Sequence, residues 1–225
     1  MDKKINIITL GAAGVGKTSI INRMKEGKFD ENVPTTIGMG FSTIIRPYNK
    51  RNMFIILNFQ DTEGQEEYQE ILPKQYIRDS HVVLLVFDSV DTLNALKKRW
   101  YTFYKENANI KNSKFILIGN KSDTFGNERE EIIRQGDLFS QEINSYFITC
   151  SAKSADNIDN LERMIITEAR RFVDEEEEKK ELQNNDIYNE QKENKIFYIS
   201  DKDIGDEENC VSTCCYNAQK IMKMS

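Results

Sequence analysis

No stretch of the 225 residues approaches the roughly 18 consecutive apolar positions of a membrane-spanning helix, so the sequence offers no such span. Four cysteines are present, at positions 150, 210, 214 and 215, and they share no metal-ligand spacing. The single histidine, His81, opens an apolar run far from any motif loop and reads as structural. Basic residues are the minority, 31 Lys and Arg against 37 Asp and Glu. The resulting charge of −6 and pI of about 5.1 argue against nucleic acid as a general partner. The first fourteen residues mimic a signal peptide, with two lysines, an apolar stretch and Ala12-Ala13, but that stretch is too short.

The same apolar stretch has a better explanation. Ile5-Asn6-Ile7-Ile8-Thr9-Leu10 reads as a buried strand, and it feeds Gly11-Ala12-Ala13-Gly14-Val15-Gly16-Lys17-Thr18. A helix then opens with Ser19-Ile20-Ile21. The pattern G-x-x-x-x-G-K-[ST] between strand and helix wraps a phosphate chain in backbone N–H groups. Its lysine reaches the outer phosphates, and its hydroxyl binds Mg²⁺. The helix N-terminus adds the positive end of its dipole.

A second loop selects the base. Asn120-Lys121-Ser122-Asp123 follows the buried run Lys114-Phe115-Ile116-Leu117-Ile118-Gly119. A carboxylate at Asp123 accepts from guanine N1–H and the 2-amino group, both missing in adenine. Polar pairing of this kind rejects the wrong analogue by ~10⁴ or more.

Three further segments complete a resemblance to the Ras superfamily of small GTPases. Pro34-Thr35-Thr36-Ile37-Gly38 resembles the first switch, Asp61-Thr62-Glu63-Gly64-Gln65-Glu66 the second, and Ser151-Ala152-Lys153 the base-backing loop. The likeness covers about residues 4–173. Ile37-Gly38-Met39-Gly40-Phe41, Gln75-Tyr76-Ile77-Arg78-Asp79-Ser80 and Leu85-Val86-Phe87-Asp88 are similar to segments of the Rab branch, though Gly40 stands where an acid is usual. No Rho-type insert follows Asp123. A P-loop kinase or ATPase is excluded in practice by the pairing of Asn120–Asp123 with Ser151–Lys153.

The resemblance implies roles. GTP or GDP, with Mg²⁺, is expected on Gly11, Gly14, Val15, Gly16, Lys17, Thr18, Ser19, Phe29, Thr36, Gly64, Asn120, Lys121, Asp123, Ser151, Ala152 and Lys153. Thr18 and Thr36 would ligate the metal, with Asp61 acting through a water. Lys17, Thr36 and Gln65 would serve hydrolysis, Gln65 by orienting the attacking water. Thr35 is a rival to Thr36 by one position, and the following Ile37-Gly38 favours Thr36. Arg23 and Arg46 read as surface charge, so an activating partner must bring the arginine. Effectors, an exchange factor and an activating protein would read residues 30–45 and 61–80, with Tyr68, Ile71 and Leu72 as apolar contacts. Function follows as a switch that binds GTP and hydrolyses it slowly, in Rab-like vesicle trafficking.

Departures from the family pattern leave an alternative open. Glu63 occupies a position where alanine is normal, beside the γ-phosphate and the metal, and Ala13 replaces glycine or serine. Both support a GTP-holding module with little or no hydrolysis.

The chain is expected to hold a G domain over residues 1–173: an α/β, P-loop architecture with a mostly parallel six-stranded sheet, one antiparallel edge strand, and helices on both faces. Buried strands are expected at 4–10, 53–59, 81–87, 114–119 and 145–149, with 41–47 as the edge strand ended by Pro47. Trp100, Tyr101, Phe103 and Tyr104 share one helix and should cover core. Ile158, Leu161, Ile165, Ala169 and Phe172 mark the apolar face of the last helix. Residues 174–225 hold fourteen acids and seven lysines, and read as a solvated, mobile acidic tail with room for one or two extra helical turns. Cys214-Cys215 resembles a Rab lipidation pair, yet ten residues follow it and Met222-Lys223-Met224-Ser225 offers no C-a-a-X box. Lipidation of Cys214 or Cys215 at the cytoplasmic face of an internal membrane, and a wholly soluble cytoplasmic form, both stay open.

Overall fold

The computed structural model describes residues 2–31, 36, 38–48, 53–62, 74–108 and 113–200, with side chains described through residue 183. Six strands form one sheet in the order β2-β3-β1-β4-β5-β6. Its centre is β1 (Lys3–Leu10), parallel to both β3 (Met53–Thr62) and β4 (Val82–Phe87). β5 (Lys114–Gly119) and β6 (Tyr146–Thr149) continue the parallel set. β2 (Met39–Tyr48) runs antiparallel to β3 at the edge. This is the α/β sheet expected from the sequence.

The central strands are apolar on both faces because helices cover both. Ile5 and Ile7 of β1, with Val82, Leu84 and Val86 of β4, join one core. Ile8, Leu10, Val83, Leu85 and Phe87 join the other. The first core is closed by α1 (Lys17–Glu26), through Ile20, Ile21 and Met24, and by α6 (Ile158–Ser200), through Ile158, Leu161, Ile165 and Ala169. The second is closed by α2 (Lys74–Arg78), α3 (Val90–Ala95), a π-helical segment (Leu96–Tyr101), α4 (Thr102–Asn107) and α5 (Arg129–Glu142). Trp100 and Tyr104 are fully buried there, and Tyr101 and Phe103 are partly buried against the same core, as core aromatics should be. Each such side chain contributes about 1.5–3 kcal/mol relative to exposure. His81 accepts the Asn6 N–H at Nδ1 (3.1 Å) and meets Phe172 edge-on, a structural role at the end of the sheet away from the motif loops.

Four features differ from expectation, and the first is that Pro47 does not end β2, which runs Met39–Tyr48 with Pro47 opposite Phe54 and Tyr48 opposite Met53. β3 runs on to Thr62 because β2 continues to pair with it, Met39 opposite Thr62, so Asp61 sits on a strand. β6 is not buried. Tyr146 is exposed and Phe147–Thr149 are half-buried, because β6 is the far edge and pairs only with β5. α6 does not stop near residue 173 but continues to Ser200. The apolar stripe ends at Val173, but residues 174–200 hold seven glutamates and four lysines and meet no proline or glycine, so helix propensity carries it on. The compact unit is Met1–Asp174, and Glu175 begins a second. No described helix is long and apolar enough to cross a membrane.

Candidate functional site

β1 ends at a buried Leu10, and the chain then turns through Gly11–Gly16 into α1. Gly11 (φ +152°) lies against the Val86 carbonyl, and Gly16 (φ +91°) against the Asn120 side-chain amide. A Cβ at either would collide with its neighbour, and both backbones are left-handed, so only glycine fits. Gly16 caps α1 without a side-chain hydrogen bond, which leaves the first-turn N–H groups directed at the loop. Val15 is buried, Ser19 half-buried, and Ala13 and Gly14 exposed. Lys17 is 6% exposed and arches back over the loop, its Nζ donating to Gly11 O and Ala12 O at 3.0 Å each.

At the mouth of this loop two hydroxyls and a carboxylate converge. Thr18 Oγ1 lies 2.5 Å from Asp61 Oδ2 and 2.9 Å from Thr36 Oγ1. Thr36 Oγ1 is 3.5 Å from the same Oδ2, and Thr9 Oγ1 donates to Asp61 Oδ1 at 3.3 Å. Burial pushes the Asp61 carboxyl above its ordinary range. The Thr18 hydrogen bond, the Lys17 charge and the Thr9 and Thr36 hydrogen bonds pull the other way. A buried carboxylate among hydroxyls is a hard-oxygen donor set, which suits Mg²⁺. Among the described residues no three His, Cys, Asp or Glu side chains gather. An ion at this point would therefore draw most of its ligands from phosphate and water.

The second loop sits beside the first. Asn120 is 1% exposed, and its side chain is spent on the protein. Nδ2 donates to Val15 O at 2.8 Å, while Oδ1 accepts the Ala152 N–H at 3.2 Å and faces Cys150 Sγ at 3.7 Å. One amide thus ties the phosphate loop to the base-backing loop. Lys121 has a left-handed backbone (φ +60°) and pairs through Nζ with Asp88 Oδ2 at 2.7 Å. Asp123 Oδ1 accepts from Ser151 Oγ at 2.5 Å, and Ser151 Oγ accepts in turn from the Ser154 N–H. Lys153 pairs with Glu31 at 2.7 Å on the surface. Cys150 is fully buried, and burial, helped by the Asp156 charge, pushes its thiol up to about 12, so it is no nucleophile.

The structure therefore brings together Lys17, Thr18, Thr36 and Asp61 at one end, and Asn120, Lys121, Asp123, Ser151, Ala152 and Lys153 at the other. Phe29 packs against the core beside α1. Thr35, Glu63, Gly64, Gln65, Tyr68, Ile71, Leu72, Cys214 and Cys215 lie outside the described residues. Sequence reasoning missed Asp88, whose role needs a fold that sets strand β4 beside strand β5. It also read two arginines as surface charge without showing their partners. Arg46 Nε donates to Glu162 Oε1 at 2.7 Å, joining β2 to α6. Arg23 is half-buried and donates to Ala152 O, Lys153 O and Gly27 O. Both are committed to the protein itself.

Comparison with known proteins places the chain in a family. The sequence model of the Ras family matches residues 6–171. Ras-related protein SEC4 of Saccharomyces cerevisiae is 32% identical over 161 residues, which is 71% of this chain and 72% of that protein.

Proposed function

The chain belongs to the Ras family of small GTPases, and we propose that it works as a guanine-nucleotide switch that binds GTP, hydrolyses it slowly and then holds GDP until an exchange factor acts. The observation that carries this reading is the convergence of Lys17, Thr18, Thr36 and Asp61 beside the Asn120–Asp123 and Ser151–Lys153 loops, at the carboxyl ends of β1, β3, β5 and β6. Open α/β sheets place ligands there. Lys17 neutralises the outer phosphates, and the first-turn N–H groups of α1 cradle them. Thr18 and Thr36 are the residues to hold Mg²⁺, with Asp61 acting through a water. Bound there, the ion would supply neutralisation of phosphate charge. Asp123 accepts from the guanine edge, Lys121 and Phe29 line the base, and the Ala152 N–H meets its carbonyl.

Gly64 and Gln65 complete the account of hydrolysis, Gly64 through its N–H and Gln65 by orienting water. The intrinsic rate is then on the order of 10⁻⁴ to 10⁻³ per second, since Arg23 and Arg46 are both engaged by protein groups. Partners read the segments 30–45 and 61–80. Support comes from Phe41, which is 63% exposed on β2 and meets the Tyr76 ring of α2 at 5.6 Å, an aromatic pair spanning both segments. The Rab-like stretches at 37–41, 75–80 and 85–88 favour vesicle trafficking, with lipidation of Cys214 or Cys215 as the route to an internal membrane. The acidic residues 174–225 act as a separate tail.

A second reading, a GTP-holding module without useful turnover, rests on Glu63 and Ala13. Single-turnover assay of preloaded GTP with Mg²⁺ separates the two. Phosphate release over about an hour supports the switch, and stable retention supports the module. Failure to load GTP would overturn both.

A further inference from the structure

We propose that Arg23 is a positioning residue of the guanine pocket, a strap that sets how long the nucleotide stays bound. The inference rests on the guanine-site reading above and deepens it. Arg23 lies on α1, the helix whose other end starts at the phosphate loop. Its planar head uses three nitrogens at once. Nε donates to Ala152 O at 2.7 Å, Nη2 to Lys153 O at 2.7 Å, and Nη1 to Gly27 O at 2.8 Å. The guanidinium carbon stands 6.0 Å from the centre of the Phe29 ring. Hydrogen bonds from a cation to carbonyls are roughly twice as strong as neutral ones. A fixed fork of this shape also satisfies three acceptors with little entropy lost per bond.

These contacts join otherwise separate pieces of the pocket. Ala152 and Lys153 form the loop behind the base, and their carbonyls are held while the Ala152 N–H is aligned by Asn120 Oδ1. Gly27 is the left-handed cap of α1, two residues before Phe29. Arg23 therefore fixes the base-backing loop, the helix end and the aromatic wall as one body, more than a hundred residues apart in sequence. It acts through those groups at the base end of the site. Among the described residues its hydrogen-bond partners are Ala152, Lys153 and Gly27, and none belongs to the Thr18–Thr36–Asp61 cluster.

Loss of the strap should free the base wall while leaving the phosphate and metal end intact. Nucleotide should then leave faster by the same factor whether or not Mg²⁺ is present, and hydrolysis of GTP already bound should not change. Lysine keeps a cation near Phe29 but supplies one nitrogen in place of three, so Arg23→Lys should recover only part of the effect.

The test follows dissociation of a fluorescent GDP (the N-methylanthraniloyl derivative) from the full chain, chased with excess GDP, in Mg²⁺ and again in EDTA. Arg23→Ala is expected to dissociate about tenfold faster and Arg23→Lys about threefold faster, each by equal factors in both buffers. Single-turnover GTP hydrolysis should stay within about twofold of wild type. If Arg23→Ala does not fold, Arg23→Lys carries the test alone. Rates within about twofold of wild type for the variants, or an acceleration confined to the Mg²⁺ buffer, would overturn the proposal. If the wild-type chain binds no fluorescent GDP, the guanine reading falls first and this inference with it.

Discussion

The base end and the metal end of the site are held in different ways. At the base end, protein groups satisfy one another: Asn120 bridges Val15 to Ala152, Ser151 holds Asp123, Asp88 holds Lys121, and Arg23 holds the loop carbonyls. At the metal end, a buried carboxyl is surrounded by hydroxyls and by the Lys17 charge, and its burial is only partly offset. The first end is already bonded together by protein groups alone. The second is electrostatically incomplete until cation and phosphate charges enter. A pocket built so can grip the nucleoside in both nucleotide states, and let only its far end report whether the γ-phosphate is there.

The comparison is broken most severely at Asn120. Asn120→Ala orphans the buried Val15 carbonyl and the Ala152 N–H together. GDP affinity should fall by about a hundredfold or more, and stability of the nucleotide-free domain by about 2–4 kcal/mol, read by titration and by urea unfolding. Thr18→Val keeps the shape and removes the hydroxyl. It should weaken Mg²⁺ binding by about tenfold or more while leaving GDP dissociation in EDTA unchanged, which confines the damage to the metal end. An equal effect in EDTA would show that the two ends are not separable.

A subtler test uses pH. The Asp61 carboxyl is raised by burial, so on acidification it takes up a proton at a higher pH than an ordinary aspartate. Proton and Mg²⁺ compete for that site, so Mg²⁺ affinity should be full above the raised value and decline as pH falls through it. Asp61→Asn should abolish that dependence, and a variant that retained it would place the titrating group elsewhere. The smallest effect is expected from deleting residues 184–225. The compact unit ends at Asp174 and Leu182 is 64% exposed, so GDP dissociation should stay within about twofold.

Local patterns made much of this legible. The phosphate loop could be read because its glycines, lysine and threonine are contiguous and sit between a strand and a helix. The two core faces could be read because β1, β4 and β5 are apolar at successive positions. What escaped was set at long range. Asn120 reads as a base contact, but nothing in the sequence marks its amide as also an internal tie to residues 105 and 32 positions away. Arg23 looked like surface charge because its acceptors are backbone carbonyls, which carry no mark in the sequence. The length of α6 escaped for the opposite reason. Loss of apolar periodicity leaves room for only one or two further helical turns in the sequence reading, whereas only the packed face ends at Val173 and the helix runs on to Ser200.

The central claim is that this site binds a guanine nucleotide. Its most direct test is the affinity of the full chain for GDP and for ADP, measured side by side with Mg²⁺. The account predicts GDP tighter by ~10⁴ or more, because adenine leaves the Asp123 carboxylate unpaired. Comparable affinities for the two would contradict it.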